Sequence, residues 1–237
     1  MTVLAALASI PRRSHILPSV LASLRPQVDR LCVYLNGYAA APSCVSDLAD
    51  EFVLAPENEG AERKLHWADR CDGVYLSCDD DFVYTPDYAA TMVEAVERWH
   101  GKAIVTAHGR VYTGKPGHVH DLSSKSIGTV FTRVKEGRWV NHGGTGVMAW
   151  DARTVHVPTE WAHMNMADLQ LAVWAQHARV PMWLIPHKSS WLGSLAESDP
   201  NGLWRTSKRE GHRRRSALLV QHGNEKPWET FAHEATT

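Results

Sequence analysis

Three acids in a row, Asp79, Asp80 and Asp81, follow directly on the apolar run 74–78, which reads as a buried strand. Carboxylates this close repel one another unless a cation sits among them. Ligands of open α/β sheets bind at the carboxyl ends of strands, and that is where these acids fall. Strand side chains alternate, so Asp79 and Asp81 face the same way if strand geometry continues through them. Two hard oxygen donors on one side suit Mg²⁺ or Mn²⁺, and such an ion in turn holds a diphosphate. The competing reading is a solvated acidic turn, since Asp is common in loops.

Cations flank the same region. Pro11-Arg12-Arg13 follows the first apolar run, at another strand end where a phosphate sits, or else simply opens a basic helix. Asn58 to Lys64 (NEGAERK) supplies a turn glycine and a cation near a helix start, which serves either a phosphate or a cap. There is no G-x-G-x-x-G for a dinucleotide and no G-x-x-x-x-G-K-[ST] for a P-loop. Asp168 precedes an apolar helical run, where it either charges the helix N-terminus or acts as a base. Asp121 and Glu160 are the other candidate bases. His187 follows the last strand and is a metal ligand, a base or neither. Trp191 and Trp204 offer faces to a sugar or base, or else fill the core. His118-x-His120 has no third ligand at matching spacing. Arg205 to Arg215 (RTSKREGHRRR) sets six basic residues against Glu210. It reads first as a solvated charged segment, and second as a grip on an anionic acceptor such as DNA.

The elements that must position these residues alternate. Runs 3–10, 31–35, 51–54, 74–78 and 103–107 read as strands, and 17–24, 60–71 and 88–99 as helices. This order means parallel βαβ units with right-handed crossovers. The second half is less regular. Residues 109–125 show no period, 143–151 read as a turn and a strand, 166–178 as a helix and 182–185 as a last strand.

The 237 residues suffice for one large domain with a real core, and 44% apolar against 22% charged residues is ordinary globular composition. A net charge of −1 argues against nucleic-acid binding over the whole surface and excludes an acidic disordered chain. No apolar run reaches the roughly 18 residues of a spanning helix. Residues 1–10 lack a basic leader and read as a strand, not a signal peptide. Four scattered cysteines without a C-x-x-C pair fit reduced thiols and a cytoplasmic location.

Taken in order, IPRR, LNGY, NEGAERKLHWAD, CDDDFVYTPDY, HGRVY, GTGVMAWD and NMADLQLAVWAQHARVPMWLIPHKSSWL resemble GT-A-fold glycosyltransferases of the family-2 type. The relatives meant are bacterial and phage transferases of surface polysaccharides. The likeness covers about residues 2–192. It implies an α/β fold with a mixed, mostly parallel central sheet flanked by helices. A single catalytic domain would span 1–195, with a donor half of about 1–108 and an acceptor half of about 109–195. Residues 196–237 would form a C-terminal extension carrying the basic segment.

The resemblance also implies a nucleotide-diphosphate sugar donor, Mn²⁺ or Mg²⁺, and a glycan or other hydroxyl acceptor. It assigns Pro11, Arg12, Arg13, Asn36, Asn58, Lys64, Asp79 and Asp80 to the donor, Asp81 and His187 to the metal, and Gly144, Thr145 and Trp191 to the acceptor. Asp168 stands where inverting members carry the general base. Two positions depart from the pattern. Asn36 replaces a frequent Asp, and Ala167 precedes Asp168 where Glu is common. A nucleotidyltransferase, or a non-catalytic sugar or nucleic-acid binding module on this fold, is the competing reading.

Overall fold

A computed structural model of the chain describes residues 1–119, 125–195, 202, 205, 206, 208 and 212–236. Asp121, His120 and Trp204 lie outside the described residues.

The first strand, β1 (Thr2–Ser9), sits inside an eight-stranded sheet. Its side chains alternate between two cores. Ala5 and Leu7 face one, and Leu4 and Ala6 the other. Covered on both faces, it is apolar from Val3 to Ala8. β2 (Arg30–Asn36) and β4 (Gly73–Asp79) pair with it in parallel, and β3 (Glu51–Ala55) extends the sheet beyond β2. A two-residue strand, β5 (Phe82–Val83), lies just past the acids. β6 (Ile104–Thr106), β7 (Gly109–Val111), β8 (Lys125–Gly128), β9 (Arg138–Val140), β10 (His142–Gly143), β11 (Val147–Asp151), β12 (Met182–Leu184) and β13 (Gly193–Ser194) complete the strands. The large sheet runs β3-β2-β1-β4-β11-β6-β12-β9, with β11 and β9 antiparallel to their neighbours. A small sheet, β10-β7-β8, covers the second half, and β5 pairs with β13.

Helix α1 (Leu17–Leu24) buries Leu17, Val20, Leu21 and Leu24, the stripe its spacing predicts. α2 (Ser43–Leu48) is short, and α3 (Tyr88–Arg98) lays Tyr88, Met92 and Val96 on the same core as α1. α4 (Ala167–Ala178) and α5 (Arg213–Glu225) pack on each other in the second half.

Two expectations change. Residues 60–71 form no α-helix but two 3-10 turns, Ala61–Leu65 and Ala68–Arg70. Gly60 enters at φ +100°, and the Trp67 ring is driven fully into the core with its indole N–H donating to Glu51 (2.6 Å). The tight turns bring Glu62, Lys64 and Leu65 all inward, which a surface helix does not do. The basic segment, read first as a solvated charged segment, leads into a helix that packs on the second half. Leu219 and Trp228 pack with Tyr112, Val119, Leu169 and Ala172 in a third apolar cluster. Each such buried side chain contributes about 1.5–3 kcal/mol, so α5 is docked as part of the molecule.

Candidate active site

β4 ends on Asp79, and there the alternation stops. Asp80 and Asp81 lie in the turn before β5, and all three acids line one cavity. Asp79 pairs with the buried ammonium of Lys64, brought in by the 61–65 turn. Asp80 is buried against the Arg13 guanidinium, and Arg13 also reaches Asp81 at 3.3 Å. The Tyr84 hydroxyl receives the Asp79 N–H (2.8 Å) and lies within hydrogen-bond distance of the Gly146 carbonyl (2.9 Å), tying β4 to the turn before β11. A Cβ on Gly146 would stand 1.9 Å from Asp79 Oδ2, so only glycine leaves this carboxylate its place.

Across the cavity, Asp168 opens α4. Its Oδ1 accepts the Thr145 N–H (2.9 Å) and hydroxyl (2.6 Å), and its Oδ2 lies 3.6 Å from the Arg215 guanidinium. The two walls are clamped by Glu62. From the same turn as Lys64, its carboxylate accepts the N–H of Asn165 (2.8 Å) and of Met166, at the start of α4. Ala61 N–H donates back to Asn165 Oδ1 (3.1 Å). One turn therefore fixes both the cation at the acids and the helix that presents Asp168.

Between the walls is a cavity of about 600 Å³ lined by Arg13, Lys64, Asp79, Asp80, Asp81, His108, Arg110, His142, Gly144, Thr145, Asp168, Arg205 and Arg215, among others. Its electrostatics are divided. Burial drives the Asp81 carboxyl up to about 7, helped by Asp79 and opposed by Arg13. Burial would also discharge Lys64, but Asp79 and Asp168 hold its ammonium above the usual value. At Asp168 burial acts upward and is overcome by Arg215 first, with Lys64 and the Thr145 hydrogen bond, leaving the group well below the ordinary carboxylate range. His142 is pushed down to about 3, mainly by burial, against the pull of Asp168, with Arg110 and Arg215 adding to the push. It is a neutral ring.

The sequence-assigned residues divide accordingly. Arg13, Lys64, Asp79, Asp80, Asp81, Gly144, Thr145 and Asp168 meet in the cavity. Pro11, Arg12, Asn36, Asn58, His187 and Trp191 are not among its lining. Asn36 is buried and spends its amide on the loop, donating to the Gly60 carbonyl (3.0 Å) and accepting the Glu59 N–H (3.1 Å). Asn58 accepts the Gly60 N–H within that loop (3.0 Å). His187 has both ring nitrogens against carbonyls, of Ala107 and Lys188 at 3.0 Å each, so in this arrangement it offers no lone pair to the acids. Trp191 is core, packed on Tyr88 and His187 with its indole N–H on Asp87 (3.3 Å). Glu160 is exposed and paired with Arg63. In the basic segment Arg213 and Arg214 are exposed, whereas Arg215 turns into the cavity and Arg205 lines it.

His108, Arg110, His142 and the clamp of Glu62 escaped the sequence reading. His108 was findable, since it follows the run 103–107 as the acids follow theirs. The Glu62 clamp spans over a hundred positions and leaves no local signal.

The carboxylate donors fit a divalent ion. Asp79, Asp80 and Asp81 bring hard carboxylate oxygens to one cavity, and the buried Asp80 Oδ2 has no hydrogen-bond partner among the described residues.

No protein-family model matches the sequence, and no curated protein matches it either. Solved structures do. Glucosyl-3-phosphoglycerate synthase from Mycobacterium tuberculosis, with phosphoglyceric acid, superposes at a TM-score of 0.61, 13% identity, over 94% of this chain and 80% of that one. Its complex with Mn²⁺, UDP-glucose and phosphoglyceric acid gives a TM-score of 0.60 at 12% identity over the same shares. The fold is GT-A. A 4-diphosphocytidyl-2C-methyl-D-erythritol synthase superposes at 0.51 with 12% identity, over 92% of this chain and 98% of that one.

Proposed function

We propose that the protein transfers a glycosyl group from a nucleoside-diphosphate sugar to a hydroxyl of a small anionic acceptor, with a divalent cation at Asp81. The observation that carries this is the two-walled cavity. Acids with Lys64 and Arg13 stand on one side, and Asp168 with Arg215 on the other, clamped by Glu62. The mycobacterial neighbour that holds Mn²⁺ and UDP-glucose supports the donor class, and its phosphoglyceric acid is an acceptor of the kind meant here.

Mn²⁺ or Mg²⁺ at Asp81 supplies charge neutralisation for the leaving diphosphate. Lys64 and Arg13 add fixed cations beside it, and Asp79 and Asp80 orient them. On the acceptor side the buried Nε–H groups of Arg110 and Arg215 have no hydrogen-bond partner among the described residues. Buried donors left unpaired are costly, and an anionic acceptor group satisfies them. Thr145 holds Asp168 Oδ1, leaving Oδ2 to accept the hydrogen of the attacking hydroxyl. Transfer is a direct displacement that inverts the anomeric centre. An acid held this far ionised is a weak base, so its contribution falls at the lower end of the general-base range.

We place the protein in the cytoplasm, on its free thiols and nucleotide donor. Among the described residues no helix is long and apolar enough to cross a membrane.

Nucleotidyl transfer is the second reading, favoured by the likeness to the cytidyl-carrying synthase. Parallel incubations with Mn²⁺ test both: nucleotide sugars with small phosphorylated or carboxylated hydroxy acids, with DNA or with neutral glycans, and nucleoside triphosphates with sugar phosphates. Release of nucleoside diphosphate with an inverted glycoside by NMR is expected. Pyrophosphate released from a nucleoside triphosphate and a sugar phosphate, or activity only with DNA or neutral glycans, overturns the proposal.

A further inference from the structure

Away from the cavity, the far ends of α4 and α5 meet. His177 stands in the last turn of α4, nine residues from Asp168, which is about 14 Å along the helix. His222 and Glu225 stand three apart on α5, on one face. Ligating atoms of the three residues lie within 4.8 Å of one another.

His222 singles this cluster out. It is 2% exposed, and neither Nδ1 nor Nε2 has a hydrogen-bond partner among the described residues. A buried imidazole ordinarily engages at least one nitrogen. Its ring stands edge-on to His177 (5.2 Å) and to Trp228 (4.7 Å). The position is well fixed, because the Gln176 side chain exchanges two 2.9 Å hydrogen bonds with the backbone of Glu229 just beyond α5.

We propose that His177, His222 and Glu225 form a second metal site, for Zn²⁺ or a similar nitrogen-seeking divalent ion, with water as fourth ligand. Two imidazoles and a carboxylate are a zinc donor set, whereas Mg²⁺ takes oxygens. Ligands at about 2.0–2.1 Å in a tetrahedron stand about 3.4 Å apart. The cluster reaches that spacing by side-chain rotation of His177 and Glu225, both exposed. The site has a structural purpose. Arg215 precedes His222 by seven residues, two turns, on the same face of α5. An ion clamping His222 to α4 therefore also fixes the approach of Arg215 to Asp168.

The test uses the full chain carrying Asp81→Asn, which removes the oxygen-donor site and leaves the His cluster intact. After chelator treatment it is titrated with Zn²⁺ alone against a chromogenic chelator, and with Co²⁺ alone by visible spectroscopy. One equivalent of Zn²⁺ and the intense bands of four-coordinate Co²⁺ are expected, with a rise in Tm on adding Zn²⁺. In that background His177→Ala and Glu225→Gln should each weaken Zn²⁺ by about a hundredfold or more, since loss even of an outer-shell partner costs about 10–100-fold. Both residues are exposed, and unchanged circular dichroism in chelator verifies that each variant folds. No stoichiometric uptake, octahedral Co²⁺ spectra, or equal affinity in parent and both variants overturns the site.

Discussion

Replacing Asp81 by Asn should stabilise the metal-free protein and abolish turnover. In the fold its carboxyl titrates at about 7 against 3.8 unperturbed, through burial and Asp79. At about 1.36 kcal/mol per pH unit, that rise corresponds to about 4 kcal/mol of unfavourable charge at neutral pH. Arg13 loses a partner in the variant, and the carboxylate is not wholly dry, so about 2 kcal/mol is the expected gain. For a chain of this size that is a Tm rise of about 4–8 °C. The sign depends on pH. The folded state holds the proton more tightly than the unfolded chain. The penalty is therefore absent below 3.8, grows as pH rises, and is complete above about 7. Scanning fluorimetry in chelator at pH 5 and pH 8 should show the variant's advantage mainly at pH 8. Mg²⁺ should raise the Tm of the wild type and leave that of the variant unmoved. An Asn variant that is less stable at pH 8 in chelator, or that keeps the Mg²⁺ response, refutes the placement of the cation and the reasoning behind it.

Asp168→Asn should lower kcat by about 10²-fold with donor affinity unchanged, measured by steady-state kinetics and donor calorimetry. Lost donor binding would make Asp168 a ligand holder. Lys64→Ala should weaken donor binding far more than Lys102→Ala, since Lys64 is buried at Asp79 and Lys102 is exposed; equal affinities would contradict this. Gly146→Ala should displace Asp79 and cost donor affinity and Tm together, because its Cβ would fall 1.9 Å from the carboxylate. Unchanged donor affinity would show that Asp79 does not face the donor.

Much of the donor wall was readable because its residues break a pattern. An apolar strand such as 74–78 running into three acids violates hydrophobic alternation, and parallel strands announce themselves as unbroken apolar runs. The 60–71 segment misled because NEGAERKLHWAD has helical composition, while Gly60 and the buried Trp67 wind it into tighter turns. The wall around Asp168 was legible in several of its residues, Gly144, Thr145 and the basic segment among them, but not in how they meet. Asp168 could be named, but its partners Thr145 and Arg215 come from a turn and a late helix, brought to it only by long-range packing. His187 and Trp191 were assigned to the site by the resemblance; in the structure Ala107, Asp87 and Tyr88 contact them and neither lines the cavity.

The docking of α5 has a consequence for what a damaged protein would do. Acids, Lys64 and Arg13 are all contributed before residue 82, so a chain cleaved ahead of α5 retains every residue proposed to hold the diphosphate. It loses Arg215, and with the apolar cluster around Leu219 and Trp228 gone, the wall behind Asp168 opens to solvent. Water then stands where the acceptor hydroxyl belongs. On the proposed glycosyl transfer, such a fragment is expected to hydrolyse the donor instead of glycosylating an acceptor, so that α5 would couple donor cleavage to product formation.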